Sequence, residues 1–501
     1  MKLLQKEGTA VKNLPLLLMV AVGVLEFLFI ILEAQFSGIG YYLAETYVIV
    51  PCLLFLGYML QKKQTLFARR RLNLAVAAVT WFVIVQCIHK LSGMENHPMA
   101  TVFMVYLMAF PFAVLSEDRN NAGLLWIGGI FAAASLVLVV YSALLILGLV
   151  PAEMGRYIRW DGARLNPLWH PNIAASYFMM GIGFCTAFCA LARKTWAKVA
   201  LIVLILIQLA AMALTNCRTT LLLTGALLGG TLFFLIVRKG GWKRFVLGFM
   251  VAGLLLVGSF QLAGKIFRWN NERLLASFSV SQEAEPVAQE EFTGEAEPVV
   301  QEEFTGEAEP VAQEEFAGEA EPVAQEEFTQ ETEPVAKELF IQEDTGVLTG
   351  DNEQKGLAED MRTLNGRTLI WKAALSAIRD NKRLALWGTE YVGTVISAYN
   401  RFPVLHSHNS WMETQLRMGV PGLGMALIFT LLSSWSAAKL LLAPTTELWK
   451  KIVAMLAMCV MVSGFLEPYL FIANVYYHVT DFMFFFLTGY LDFWANFKQN
   501  T

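Results

Sequence analysis

Long apolar runs separated by short polar breaks dominate the chain, and they set its expected architecture. A helix that crosses a bilayer needs about 20 mostly apolar residues. Runs of that kind lie near residues 14–32, 41–60, 72–90, 98–115, 123–149, 170–192, 197–215, 219–237, 244–263, 419–441, 450–467 and 469–493. They predict an all-α polytopic membrane bundle of about twelve transmembrane helices. No such run occurs between 264 and 418, which predicts one long extracytoplasmic loop bearing short amphipathic helices. The chain therefore divides into 1–263 with nine spans, a loop segment 264–360, an ordered loop segment 361–418, and 419–501 with the last three spans. The first run is long, contains Glu26 and lacks a small-residue cleavage site, so it reads as a span and not as a signal peptide.

The two loop segments are unlike each other. From Ala284 to Glu343 a unit of 12 residues, AEPVAQEEFTGE in its first copy, repeats five times with a degenerate last copy. The period is far below the roughly 20–50 residues of solenoid repeats. Each early copy has four glutamates, a proline and one phenylalanine, too little apolar surface to offset chain entropy, so disorder is expected. A tolerated spacer is the plain reading; an acidic brush that binds cations or basic partners is the alternative. The second segment opens with Asn365-Gly366 and RTLIWKAALSAIRDNK. Leu369, Ile370, Ala373, Ala374, Ala377 and Ile378 fall at helical spacing, with Lys372, Arg379 and Lys382 facing elsewhere. This predicts an amphipathic helix lying on the membrane or the bundle. A second short amphipathic helix is expected after His408 and Asn409, running through Gly419, Pro421 and Gly422 into a span.

Composition supports the membrane assignment: 56% of residues are hydrophobic and 16% charged, against roughly 25% charged in soluble domains. The net charge of -4 combines a mildly basic body with an acidic insert, so it identifies no partner. Orientation follows from the positive-inside rule. With a cytoplasmic N-terminus the short inner segments hold 20 of the 38 basic residues, and the short outer loops hold only Lys90, Arg156, Arg159, Arg164 and Arg218. Both termini are then cytoplasmic and the long loop faces out. The outer arginines stand out because they occupy the disfavoured side.

The six cysteines lie in or at the ends of predicted spans and none lies in the long loop, which argues against a disulfide framework and a zinc site. Of the six histidines, His406 and His408 cluster at an expected membrane–water boundary. An imidazole there could serve as a general base. Two histidines at i, i+2 without an acidic partner motif make a poor metal site. Glu26, Glu33, Glu45 and Asp481 fall within or at the edge of spans, where acids are either functional or paired between helices.

One further pattern carries more. His408 is followed by Asn409, nine residues, Gly419, two residues and Gly422. This resembles the signature of the O-antigen ligase and O-antigen polymerase family. Three other segments resemble the same family in the same order. They are RLNPLWHPNIAASYFMMGIG (164–183) with its Pro171-Asn172 pair, TNCRTTLLLTGALLG (215–229) with Cys217 in place of a small hydroxyl residue, and NGRTLIWKAAL (365–375). The likeness spans most of the chain from about residue 123; the glutamate repeat has no counterpart in it.

The resemblance implies a metal-independent, membrane-embedded glycosyltransferase of the cytoplasmic (inner) membrane with its active site extracytoplasmic. Such an enzyme moves a glycan from a polyprenyl-pyrophosphate carrier onto a hydroxyl of a lipid, glycan or protein. The implied partners are that donor, the acceptor and membrane lipids, with no nucleic acid, no metal and no cofactor. The matched residues assign His408 as catalytic base and Arg218 and Arg367 as pyrophosphate-binding residues. Arginine suits that task because its planar fork binds phosphate oxygens in a bidentate way. Asn409, His406, Arg164 and His170 are possible accessory residues. Ligase, polysaccharide polymerase and protein O-oligosaccharyltransferase remain open on these residues. A secondary transporter or flippase is the alternative of another class, although no paired repeats with broken helices appear.

Overall fold

A computed structural model describes residues 70–92, 121–149, 159–161, 164–167, 170–238, 240–283, 367–400, 404–468, 470–471 and 478–496. The runs at 14–32, 41–60 and 98–115, the whole glutamate repeat, Glu26, Glu33, Glu45 and Arg156 lie outside the described residues. The described residues up to Glu272 and from Arg367 onward belong to one compact unit.

The elements are α1 (Arg70–Leu91), α2 (Ala122–Ile146), β1 (Arg159–Asp161), β2 (Arg164–Asn166), α3 (Pro171–Leu191), α4 (Thr195–Leu214), α5 (Arg218–Val237), α6 (Trp242–Glu283), α7 (Arg367–Asp380), α8 (Lys382–Trp387), α9 (Val392–Tyr399), α10 (Ser410–Leu442), α11 (Leu448–Ser463) and α12 (His478–Asn496). Six of these are long and apolar enough to cross a membrane: α2, α3, α4, α5, Trp242–Ile266 of α6, and α10. Together they make the chain a multi-pass membrane protein. Of the twelve expected spans, three lie outside the described residues. Three others differ from expectation in length or polarity. The apolar part of α1 is only Val76–Leu91, α11 has 16 residues, and α12 carries Asp481 and Asp492. α6 continues helical to Glu283, beyond residue 264 where the sequence predicts the loop to begin.

α3 is the central helix. It is buried from Pro171 through Ala187 apart from Asn172, as befits a helix that is apolar all round. Alanines and glycines let its neighbours approach closely: a Cβ at Gly183 would lie 2.7 Å from the Leu456 side chain of α11. α6 is the opposite case, because Phe249, Met250, Leu254 and Val257 are exposed. Such exposure suits a lipid-facing helix, where hydrocarbon solvates apolar side chains. Behind α3 the core is aromatic. Phe482, Phe484, Phe485 and Phe486 of α12 have no exposed surface, and Phe429, Phe471, Phe484 and Phe485 meet edge-on or tilted, the geometry that aromatic quadrupoles favour.

A smaller apolar cluster joins α7, α8 and α9 to the start of α10, through Ala373, Ala374, Ala377, Leu384, Val392, Ile396, Val404 and Leu416. The expected amphipathic helix is present as α7, with two differences. Leu369 is 52% exposed, so the buried face is narrower than the apolar spacing implies. The helix also stops before Lys382, because Asn381 takes an extended conformation and its Oδ1 accepts from Leu384 N to start α8.

α10 is two helices meeting at Gly419 (φ 71°, ψ -176°), where the sequence predicts a short amphipathic helix running through into a span. The left-handed φ favours glycine, and a methyl group at this position would overlap the Leu386 carbonyl of α8. Pro421 fits because it sits in the first turn after the break, where its missing N–H is not needed. Trp81 of α1 braces the same joint: its indole donates to the Met418 carbonyl at 2.7 Å and stacks on Trp387.

Candidate functional site

α3, α5 and α10 begin at the end of the bundle where α4 and α11 finish. Six sequence-selected residues lie in segments at this end, and a seventh, Arg367, opens α7. At their centre is a residue that the sequence analysis does not single out, Glu467, in the turn after α11. Its side chain is 8% exposed. Oε1 accepts from Arg367 Nη2 at 2.6 Å and from Asn172 Nδ2 at 2.8 Å. Oε2 lies 3.7 Å from His408 Nδ1, which is longer than a hydrogen bond, so that contact is electrostatic and depends on the proton of the ring.

Arg164 closes the far side of the hub. Its Nη2 donates to Asn172 Oδ1 at 2.7 Å and its Nε to the Thr215 carbonyl at 3.0 Å. It is held there by the hairpin of β1 and β2, in which Asp161 pairs with Arg164. His170 is the N-cap of α3, accepting from Asn172 N at 3.2 Å. Pro171 follows at the first helical position, so the Pro-Asn pair does open a span as the sequence predicts. Its asparagine also links Arg164 to Glu467.

His408 sits in the bend 404–409 with φ 51°. Left-handed backbone is uncommon outside glycine and costs about 1 kcal/mol or more. The bend is tied down on several sides. Ser407 N donates to Glu413 Oε2 at 2.8 Å, and Trp371 Nε1 of α7 donates to the Ser407 carbonyl at 2.9 Å. His406 packs edge-on to His408 with ring centroids 4.1 Å apart, and its Nδ1 accepts from His408 N. Asn409 caps α10: its Oδ1 accepts from Trp411 N and Met412 N, and its Nδ2 donates to the Phe465 carbonyl. All three bonds of this side chain serve the helix start and the 464–468 turn, which gives the Asn of the signature a structural task.

The electrostatics follow from this packing. Burial opposes ionisation of Glu467, but contact with His408 and the positive charge of Arg367, His408 and His170 outweigh it and hold the carboxyl well below its ordinary range. Burial, reinforced by His408 and His170, lowers His406 to about 4, so its ring is neutral near pH 7. Burial raises the thiol of Cys217, and the bond from Arg164 to the Thr215 carbonyl sets the N-terminus of α5 beside the hub. Arg218 is the first residue of α5 and shares this end of the bundle.

The structure thus gathers Arg164, His170, Arg367, His406 and His408 into one network and adds Asn172 and Glu467 to it. The available sequence signal for Glu467 is a single acid inside GFLEPYLF, an otherwise apolar stretch between two spans. Asp481, singled out for its place at the edge of a span, instead has a packing role, with Oδ1 accepting from Phe471 N at 2.9 Å. Among the described residues no group of three or more His, Cys, Asp or Glu side chains is placed to hold a metal ion.

A search of curated proteins returns no match to the chain. Residues 201–427 match the model of a protein family described as O-antigen ligase. The matched stretch includes Arg218, Arg367, His406, His408 and Asn409, so over these residues the chain is similar to that family, in line with the resemblance read from the signature.

Proposed function

We propose that the chain moves a glycan from a polyprenyl-pyrophosphate carrier to an acceptor hydroxyl on the outer face of the cytoplasmic membrane, as an O-antigen ligase-like enzyme of surface polysaccharide synthesis. The observation that carries this reading is the meeting of His408 and Arg367, both within the family-matched stretch, on the buried Glu467 at one end of a membrane bundle, with Arg164 linked to the same acid through Asn172. The opposite end supports the orientation, because Arg193, Lys194, Arg238, Lys439, Lys450 and Lys451 lie at or near helix ends there. Under the positive-inside rule that end is cytoplasmic and the site end extracytoplasmic.

In the proposed reaction the acceptor oxygen attacks the anomeric carbon while its proton passes to His408. The bond from the anomeric carbon to the pyrophosphate oxygen breaks, and the leaving pyrophosphate takes that electron pair. Attack from the opposite face inverts the anomeric carbon. Arg367 and Arg218 neutralise the charge that develops on the leaving group. Arg367 commits one N–H to Glu467 out of the five donors of a guanidinium.

The acceptor separates ligase, polymerase and protein oligosaccharyltransferase. The test is purified protein in proteoliposomes with a polyprenyl-pyrophosphate oligosaccharide and, in separate arms, a lipid, a second carrier-linked glycan or a peptide. The expected product is one covalently extended acceptor with release of polyprenyl pyrophosphate. Movement of intact donor across the bilayer without a new glycosidic bond would replace this reading with transport. Full activity in both Arg218→Lys and Arg367→Lys would remove the arginine clamp from it.

A further inference from the structure

We infer that Glu467 is the positioning residue of His408: its carboxylate holds the ring with Nδ1 protonated and keeps Nε2 available for the acceptor's proton. This inference rests on the reading of His408 as the base.

The backbone provides the first support. The turn that carries Glu467 is stitched to the residues that follow His408. Ser410 N donates to the Gly464 carbonyl at 2.8 Å, Ser410 Oγ donates to the Glu467 carbonyl at 2.8 Å, and Leu470 N donates to Ser410 Oγ at 2.9 Å. Asn409 Nδ2 adds its bond to the Phe465 carbonyl. Four hydrogen bonds therefore fix the spacing of His408 and Glu467 at the level of the main chain. A pair that met only by surface chance would lack this scaffold.

The side chains provide the second. Oε1 of Glu467 is occupied by Arg367 and Asn172, which leaves Oε2 as the oxygen that faces His408. On the other side, Nδ1 of His408 is buried and has no hydrogen-bond partner among the described residues. Oε2 is 3.7 Å away, and a ring shift of about 1 Å closes the bond. A proton on Nδ1 then leaves the Nε2 lone pair as the basic site, and the carboxylate stabilises the imidazolium that forms when the acceptor's proton arrives.

The other charges around His408 set the balance. Arg367 of α7 and His170 before α3 act on the same carboxylate, Arg164 of β2 reaches it through Asn172, His406 lies edge-on from the same bend, and Glu413, paired with Arg417, accepts from Ser407 N of that bend. Glu467 Oε2 is the carboxylate oxygen that faces Nδ1 of His408, and its negative charge offsets the positive charge that the ring takes up with the acceptor's proton.

The test is the pH dependence of glycan transfer by the full-length protein in proteoliposomes. In Glu467→Gln the maximal rate falls roughly 10- to 100-fold, and the acid limb of the rate profile moves to lower pH by about one unit. Glu467→Asp, which withdraws the carboxylate by one methylene, moves the limb the same way by less. Either variant alone carries the test if the other does not fold. In the His408→Ala background, Glu467→Gln causes no further loss. An acid limb that stays at the wild-type pH, or a full additional loss in the double variant, overturns the inference. Unimpaired transfer by His408→Ala alone instead overturns the reading of His408 as base, so the two failures are distinguishable.

Discussion

At one end of the bundle Lys450 pairs with Glu447 three residues away, at 2.9 Å, with the glutamate 59% exposed. At the other end Arg367 pairs with Glu467 across 100 residues of chain, with both partners nearly buried. The far-end lysines also lie over aromatic rings: Lys450 over Trp449 and Trp494, and Lys439 over Trp435. The carboxylate of the Lys450–Glu447 pair stands in solvent, and lysines of this kind anchor helix ends at a membrane surface. The site-end contacts are long-range and dry. Asn172 reaches Glu467 across 295 residues. Desolvating a carboxylate and a guanidinium is costly unless both are well paired, and here three distant segments, at Asn172, Arg367 and His408, meet around one acid. Charge alone does not separate the two ends. Burial and sequence separation do.

Substitutions should divide along the same line. The largest effect is expected at Arg367. Arg367→Ala leaves Glu467 buried with one partner fewer and removes one of the two proposed pyrophosphate ligands, so transfer should fall by roughly 10³-fold or more, read as kcat/KM in the reconstituted assay. Gly419→Ala comes next. It places a methyl group on the Leu386 carbonyl at a left-handed φ, so α8 must separate from α10. A drop in melting temperature of several degrees and loss of most transfer activity should appear together. Asn409→Ala removes a cap and a tie to the 464–468 turn, for a loss of about 1–2 kcal/mol in stability, measurable by thermal unfolding in detergent. Lys450→Ala at the far end should change transfer less than about twofold. A Lys450 effect as large as that of Arg367 would break the comparison.

Acidity offers another probe of the same contrast. The Glu467 carboxyl is held below its ordinary value of 4.5 in the folded protein. Its contribution to stability is therefore complete above that pH and declines as pH falls below it. His406, lowered from 6.5 to about 4, acts in the same direction: its contribution is complete above 6.5 and is lost as pH falls toward 4. Melting temperature should drop from pH 7 to pH 4, and Glu467→Gln should flatten the part of the curve below about 4.5. An equal slope in wild type and Glu467→Gln would show that the carboxylate is not held by its partners.

Much of the bundle was legible because apolar runs of spanning length have few other uses. The signature spacing was legible too, as was the short amphipathic helix ahead of Gly419; the break at Gly419 was not, because the pattern reads as a helix running on into a span. The physical tasks were not. Spacing shows that Asn409 and Gly419 belong together, but only the folded chain shows a cap at one and a close backbone approach at the other. Periodicity finds the apolar face of α7 without fixing how much of it is covered, and Leu369 is exposed for that reason. Glu467 was hidden because it ends an apolar run and its partners lie 59, 100 and 295 residues away. No local pattern encodes such a meeting.

The most direct measurement is single-turnover glycan transfer by His408→Ala in proteoliposomes, with donor binding measured on the same samples. The donor should still bind, because the arginines are intact, and the transfer rate should fall by about 10²- to 10⁴-fold, the usual contribution of a general base. Donor binding and a transfer rate both equal to wild type would contradict this expectation.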